Sequence, residues 1–352
     1  MRTTFFSNLR TLSILLCIIW FGACDSGQDQ SPERLEPNDV SFLVPLKSVS
    51  GFTASASGQY GQILPRAYFD SLEPLTRVDE PDDLYANLDV VGVRLDPCFV
   101  EGRNTSTCGS QIRIILQPVF DPTNPTTRDG TIHLFFEVPQ AEVLATARTL
   151  ASIRTVADGN GKVGEHSDPQ AAAEVVLSQI GAERLRRITF VAVHASDQAW
   201  TFGGFEVQSD GLEHTPMIGV DDHEQHLTSV GGTETLDATI LPTPGIEQEA
   251  AVLMSETHRA SLTDAEVQAG LEGLSRLLDP AAHDPGTVDC ATCHMATAAS
   301  LYFEASPGES NVPAVYQDTQ NQRMFGYFGN TPSISPRVNA ETDIVLTVLS
   351  DL

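Results

Sequence analysis

Positive charge is scarce in this sequence of 352 residues. Lys and Arg together number 20 against 47 Asp and Glu, which gives a formal net charge of −27. Binding to nucleic acid depends on basic patches that neutralise phosphates, so this composition argues against a nucleic-acid partner. An acidic surface can steer a basic protein partner towards the chain. It can equally be a solvated surface that keeps the protein soluble, and both interpretations stay open.

The N-terminal apolar run, Leu12–Phe21, is too short to span a bilayer, which takes roughly 20 residues. It follows Arg2 and Arg10, as in a secretory signal peptide. The run leads into Phe21-Gly-Ala-Cys24, which resembles the lipobox of bacterial lipoproteins. The resemblance implies a lipoprotein signal peptide over residues 1–23 and a lipid on Cys24. A lipid-anchored protein of the bacterial cell envelope, facing the periplasm or the outside, would follow. The alternative is an ordinary cleaved signal peptide with an incidental cysteine.

Residues 24–40 are rich in Gln, Ser, Pro and Glu, and this composition predicts a flexible tether. Cysteine is scarce beyond it. The chain has six cysteines, one of them inside the signal peptide and one at the lipobox. Cys98 and Cys108 lie between two predicted strands, and in an oxidising compartment we expect them to form a disulfide bond.

The last two cysteines belong to the sequence Cys290-Ala-Thr-Cys293-His294, the pattern that attaches c-type haem covalently. Each cysteine sulfur adds to one of the two vinyl groups on the same porphyrin edge, and a two-residue gap spans the distance between them. The turn that results holds His294 under the iron as the proximal ligand. The motif therefore predicts one haem c, bound through Cys290 and Cys293.

With this motif, residues 246–352 resemble a degenerate cytochrome c domain. Thr263–Glu266 is a capping box that opens a helix ending near Asp279-Pro280, and Asn339 is predicted to cap the last helix. In cytochromes c two such helices cross and close the haem pocket, and a Met or His before the last helix binds the distal face. The resemblance implies Met324 in that role. The upstream alternatives are Met254, His258 and His283.

Residues 41–245 are predicted to form an α+β domain of unknown function. The predicted strands are Ser41–Val49, Leu88–Leu95, Gln111–Val119, Thr131–Val138 and Ile188–Ala195, and the predicted helices are Gln140–Arg154 and a second from Asp168-Pro169 to about Leu185. Trp200–Phe205 is predicted to form a turn that leads into another strand. The two strands around Cys98 and Cys108 are expected to pair as a hairpin. In Gln111–Val119 the apolar residues alternate, with Ile115 as the one exception.

The fold class predicted for the whole chain is therefore α+β. It combines an N-terminal β-rich domain of mixed strands and two helices with a small, mainly helical, cytochrome c-like C-terminal domain. The pattern around Arg94–Cys98, Gln111–Val119 and Ile132–Phe135 also resembles uncharacterised bacterial lipoproteins that carry the same haem motif.

Three further features contain residue types that can bind metal ions. Asp158–Lys162 resembles a calcium loop, but Lys162 stands where a carboxylate is needed, which favours a turn. Asp221–His226 contains acidic and histidine side chains, but no further ligand has a recognisable spacing, which favours a polar surface loop. His133 is expected to be a core or sheet-face histidine rather than a ligand.

No nucleophile elbow, phosphate loop or dinucleotide fingerprint occurs in the sequence, so an electron carrier is favoured over an enzyme. The leading hypothesis is a lipid-anchored extracytoplasmic monohaem protein that transfers single electrons to or from a redox protein partner. The alternative is a structural or binding lipoprotein in which Cys290 and Cys293 form a disulfide and no haem is bound. Zinc on Cys290, Cys293 and His294 is disfavoured, because thiols outside the cytoplasm tend to be oxidised first.

Overall fold

An eleven-stranded mixed sheet is the main feature of the computed structural model of this protein. The structure describes residues 34–72, 81–100, 108–128, 130–155, 161–194, 199–215, 224–229, 236–237, 262–283, 287–294, 296–297 and 324–352. At several strand and helix ends, including Cys98 and Cys108, it describes the backbone alone.

The described strands are β1 (Ser41–Leu43), β2 (Ser57–Gly58), β3 (Gly61–Gln62), β4 (Leu88–Val100), β5 (Cys108–Phe120), β6 (Thr126–Thr127), β7 (Thr131–Glu137), β8 (Gly164–Glu165), β9 (Leu185–His194), β10 (Ala199–Gln208), β11 (Gly211–His214), β12 (Glu224–Ser229), β13 (Leu236–Asp237), β14 (Phe325–Phe328) and β15 (Thr331–Ile334). The described helices are α1 (Arg66–Phe69), α2 (Pro81–Ala86), α3 (Gln140–Ile153), α4 (Pro169–Leu177), α5 (Asp264–Leu278) and α6 (Pro336–Ser350). Short 3₁₀ turns cover Pro37–Asp39 and Ala182–Arg184.

The large sheet runs in the order β13-β12-β10-β9-β7-β5-β4-β1-β8, with β11 beside β10 and β6 beside β5. Neighbours are antiparallel except β1 and β8, which are parallel. The predicted hairpin is confirmed, because β4 pairs with β5 and Arg94 lies opposite Arg113. Helix α3 and the capping box of Thr263 and Glu266 at the start of α5 are confirmed as well.

One face of this sheet, the first face, carries the largest apolar cluster. In β5 it consists of the even-numbered residues Ile112, Ile114 and Leu116, which lie opposite Leu134 and its neighbours in β7. Helices α3 and α4 pack on it through residues such as Leu150. Burying such side chains stabilises the fold by about 1.5–3 kcal/mol each.

The opposite or second face carries two smaller apolar clusters. The Phe202 cluster consists of Val191, Trp200, Phe202, Leu274, Leu277, Val288, Ala291 and Ala296. The Tyr327 cluster consists of Leu43, Val91, Ile115, Val119, Val163, Phe325, Tyr327 and Val338. Both clusters join sheet residues to residues after 261, so the C-terminal part of the chain covers this face.

The predicted small helical C-terminal domain is therefore wrong. Leu274 and Leu277 of α5 pack against β9 and β10 rather than into a helical core of their own. Val345 and Leu349 of α6 join the large cluster of the sheet. The physical reason is that the second face presents apolar side chains, and described residues of α5, the β14–β15 hairpin and α6, such as Leu274, Phe325 and Val338, pack against them. The boundary between residues 245 and 246 lies outside the described residues.

Several local expectations also change. Residues 37–40, at the end of the predicted tether, are buried in the fold. Helix α4 has the predicted Asp168 cap, whose side chain accepts from the Ala171 N–H, but it ends at Leu177. The last helix is capped by Ser335, not Asn339, and Pro336 occupies its first turn. Among the described helices, none combines the length and apolarity needed to cross a bilayer.

Candidate functional site

The haem-attachment motif lies on one helical turn that covers the second face of the sheet. Residues 290–294 are helical, and we call residues 289–294 the motif turn. Asp289 caps it: one carboxylate oxygen accepts from the Thr292 N–H at 2.8 Å and the other from the Thr292 hydroxyl at 2.6 Å. Such a cap satisfies N–H groups that a helix start leaves without partners. The side chains of Asp289 and Thr292 are both buried, so these hydrogen bonds are shielded from water and hold the turn in place.

Gln225 of β12 anchors the motif turn to the sheet. Its Nε2 donates to Asp289 Oδ1 at 2.6 Å, and its Oε1 accepts from the Ala291 N–H at 2.9 Å. Gln225 pairs with Phe202 across the β10–β12 ladder, and its side chain is buried. A single amide therefore connects the sheet to both the cap and the first turn of the motif.

Cys290 and Cys293 are both free thiols in this structure and are not joined to each other. Both are half-buried and pack against the Phe202 cluster. Burial, followed by the charges of Asp289 and Cys293, raises the pKa of Cys290 to about 12. Burial also raises the pKa of Cys293. Both groups therefore stay protonated at neutral pH, which opposes thiolate chemistry such as disulfide exchange.

His294 extends from the end of the same turn towards the sheet. Its imidazole lies 5.1 Å from the Phe202 ring, between centroids, at a tilt of 55°. Burial and then the charge of Arg113 lower the pKa of His133 in β7 well below its usual value, and the charge of His294 contributes after them. As expected, His133 is a sheet-face histidine, and its environment keeps it neutral.

A buried cluster of charged side chains, the arginine cluster, connects strands β4 and β5 with α6. It consists of Arg94, Asp96, Arg113, Arg337 and Glu341. Glu341 accepts from Arg94 at 2.5 Å and from Arg337 at 2.8 Å, and Asp96 lies 3.2 Å from Arg113. Burial opposes ionisation of Glu341, but Arg94, Arg337 and Arg113 outweigh it and lower its pKa to about 2. Arg337 further donates to the carbonyls of Leu277 and His283, which ties α6 to the end of α5.

Four side chains that can bind a metal or form a covalent bond are partly accessible to solvent, although residues next to them are buried. Cys290, Cys293, His294 and His133 are half-buried, whereas Ala291 and Thr292 of the same turn are fully buried. The two cysteines pack against the apolar side chains of the Phe202 cluster. Two thiols and an imidazole are the residue types that hold a c-type haem.

The remaining sequence-predicted residues lie elsewhere. Met324 is half-buried against the Tyr327 cluster, whereas the cysteines pack on the Phe202 cluster. His283 follows the end of α5 and is buried, with 5% of its surface exposed. Its carbonyl accepts a hydrogen bond from the Arg337 guanidinium. Cys24, Met254 and His258 lie outside the described residues. Val100 pairs with Cys108, so Cys98 and Cys108 lie at the loop end of the β4–β5 hairpin, but their side chains are not described.

The structure does not bring the candidate metal ligands of the sequence together among the residues that it describes. Residues 156–160 of the calcium-like loop and 221–223 of the acidic cluster are outside the described residues, and the segment from Glu224 is strand β12. Within the part of the chain that the structure describes, no three His, Cys, Asp or Glu side chains are grouped to hold a metal ion.

Sequence reasoning missed Gln225, Asp289 and the arginine cluster. A signal was present in the strands, where Arg94, Asp96 and Arg113 alternate with apolar residues. Such residues are typical of a solvated face, because nothing local to the strand shows that a later segment covers it. Comparison with protein-family models, with curated proteins and with solved structures gives no match to this chain.

Proposed function

We propose that this chain is a lipid-anchored protein of the bacterial cell envelope that binds one c-type haem and transfers single electrons. Cys290 and Cys293 would bind the porphyrin through thioethers, and His294 would bind the iron. The observation that carries the proposal is the arrangement of the motif turn. Its two thiols are unbonded and pack against the apolar Phe202 cluster, and the imidazole of the same turn lies beside Phe202.

The high pKa of Cys290 supports this assignment over a redox-active dithiol. A nucleophilic CxxC pair needs a thiolate, which a lowered pKa provides. Here burial and Asp289 raise the pKa to about 12. A thiol that stays protonated is unsuited to repeated exchange.

The surrounding residues would orient the group and exclude water from it. Gln225 and Asp289 fix the turn on which both attachment points lie. The apolar side chains of the Phe202 cluster would pack against the porphyrin edge. A bound haem c supplies the one-electron couple, and a buried environment of this kind sets its potential.

The alternative function is a structural or binding lipoprotein whose CxxC pair is a disulfide. One experiment separates the two. The full-length chain is expressed in a bacterium with the haem-attachment machinery, and its denatured product is tested by in-gel haem staining and a pyridine haemochrome spectrum. The proposal predicts a stained band with the spectrum of two thioether bonds. Cys290→Ala and Cys293→Ala should each lose or weaken the stain, whereas Cys98→Ala should not. An unstained wild-type band contradicts the haem assignment.

The membrane anchor is part of the same proposal and has its own measurement. Metabolic labelling with a radioactive fatty acid should label the wild-type chain, and Cys24→Ala should abolish the label. Label that persists in Cys24→Ala would contradict lipidation at that residue. The net charge of −27 supports a basic redox partner. Electron transfer to such a partner should then slow as ionic strength rises.

A further inference from the structure

The motif turn packs directly against the sheet in the haem-free chain. Ala291 and Thr292 are 0% exposed, and Ala291 belongs to the same apolar cluster as Trp200 and Phe202 of β10. The two motif cysteines pack against that cluster as well. A planar group inserted between the turn and the sheet would have to displace these contacts. The turn must therefore leave the sheet before a porphyrin can occupy the apolar surface beneath it.

Two buried polar side chains, Gln225 and Asp289, hold the turn on the sheet, and we call them the latch. Gln225 of β12 donates to Asp289 Oδ1 at 2.6 Å and accepts from the Ala291 N–H at 2.9 Å. Asp289 in turn accepts from the N–H and the hydroxyl of Thr292. Gln225 is 5% exposed and Asp289 is 2% exposed, so the docked turn shields these bonds from water. Because the four bonds form one connected network, we expect the turn to dock and undock as a unit.

The apolar contribution of the turn to this contact is small, because its own side chains are small. The turn provides Ala291 to the Phe202 cluster, whereas the large members, such as Trp200, Phe202 and Leu274, belong to the sheet and to α5. Those large side chains remain folded on the sheet when the turn leaves. The hydrogen bonds of the latch are replaced by bonds to water, so their net contribution is modest. A segment with few large apolar contacts opens at a lower free energy than the whole fold unfolds.

We infer that the motif turn is a lid, latched by Gln225 and Asp289, which opens as a unit while the rest of the fold stays intact. The opening itself concerns the haem-free chain. Its role rests on the proposed function, in which the open lid exposes both motif thiols and uncovers the apolar surface of Trp200 and Phe202 for the porphyrin.

Hydrogen exchange of the haem-free, full-length chain, resolved amide by amide, tests the opening. The N–H groups of Ala291 and Thr292 donate to the buried latch, so they exchange when the lid opens. We expect the two amides to share one protection factor, at least about tenfold below that of the Ile114 amide in β5, which reports global unfolding. Low concentrations of urea should accelerate their exchange less steeply than that of Ile114, because local opening exposes less surface.

Gln225→Ala removes both hydrogen bonds between the latch and β12. It should speed exchange at Thr292, which keeps its own acceptor, by about thirtyfold, and alkylation of Cys290 should accelerate with it. Gly58→Ala is the matched control, because its Cβ meets the Ile180 carbonyl oxygen instead of the lid. It should lower global stability by a similar amount and leave exchange at Thr292 unchanged.

The outcomes separate the lid from the proposed function. If Gly58→Ala speeds exchange at Thr292 as much as Gln225→Ala does, the turn opens only by global unfolding and the inference is wrong. The same conclusion follows if the wild-type Thr292 amide has the urea dependence of Ile114, and this comparison decides the matter if Gln225→Ala does not fold. Local opening in a chain that never acquires covalent haem would keep the lid but overturn the proposed function.

Discussion

Glu341 of α6 is the residue whose removal tests the covered second face most sharply. Its carboxylate bridges Arg94 of the sheet and Arg337 of its own helix, and both arginines are 4% exposed. In Glu341→Gln the amide keeps the shape but loses the charge. We expect the substitution to destabilise the protein, because it leaves two buried guanidiniums with less compensation.

The magnitude follows from the pKa of Glu341. The folded protein lowers that pKa from 4.5 to about 2, which corresponds to about 3 kcal/mol of folding free energy at neutral pH. Removing one partner of a buried ion pair costs about 3–5 kcal/mol by direct comparison. Both arguments give a loss of about 3 kcal/mol for Glu341→Gln.

The pH dependence has a definite sign. Because the pKa is lower in the folded protein than in the unfolded chain, the stabilisation is complete above about pH 4.5. It is lost as the pH falls from there towards about 2. The difference in stability between the wild type and Glu341→Gln should therefore shrink across that interval.

Urea unfolding followed by far-ultraviolet circular dichroism measures this difference at about pH 7 and about pH 3. The control is Asp343→Asn, an exposed acid on the same helix, which should change stability by less than about 0.5 kcal/mol. The reasoning is refuted if Glu341→Gln costs less than about 1 kcal/mol at neutral pH. A difference that does not depend on pH would refute the assigned pKa.

Three other predictions follow from the same packing. Gln225→Ala removes both bonds to the motif turn and should cost about 1–3 kcal/mol in urea unfolding, with exposed Gln208→Ala as its control. In protein made without haem, the raised pKa of Cys290 should slow its alkylation at about pH 8 on the order of a thousandfold in the folded state relative to the unfolded state. Equal rates in the two states would contradict that raised pKa. Gly58→Ala brings a Cβ within 2.2 Å of the Ile180 carbonyl oxygen and should lower stability by about 1–3 kcal/mol, whereas Gly109→Ala meets open space and should be tolerated.

Much of the local structure was predictable because its signals are local. Helix α3 has an apolar stripe, and Asp168 and Thr263 cap their helices as their sequence contexts indicate. The hairpin of β4 and β5 follows from two β-branched segments of alternating polarity. The last helix begins before Asn339, because Ser335 caps it and Pro336 occupies its first helical position, which is itself a local signal.

The Gly203-Gly204 pair shows where local signals mislead. Two glycines predict a turn, yet both lie inside strand β10. A Cβ at position 203 would stand 2.4 Å from the ring of Phe190, its partner in β9. The glycine is there to admit an aromatic ring across the ladder, and that requirement is visible only once the strands are paired.

The covering of the second face was the largest omission. Ile115 interrupts the alternation of β5, and it was treated as an exception. It is buried in the Tyr327 cluster, under a hairpin more than 200 residues further along the chain. An apolar residue on the face that otherwise carries Arg113 and Gln117 indicates a sheet covered on both sides. Which segment covers it depends on long-range packing, which sequence periodicity does not encode.

For the site, the motif predicted the residue types, and the fold supplied their setting. Cys290, Cys293 and His294 share one turn because their spacing is helical. Their attachment to the sheet through Gln225 depends on strand order. The register of β9, β10 and β12 therefore sets the surroundings of the three motif residues.

The most direct test of the account is mass spectrometry of the peptide that contains Cys290–His294, taken from mature protein made with the haem-attachment machinery. The account predicts a mass increased by one haem, with neither cysteine available for alkylation. A peptide that carries two alkylated cysteines, or one that becomes alkylated only after reduction of a disulfide, would contradict it.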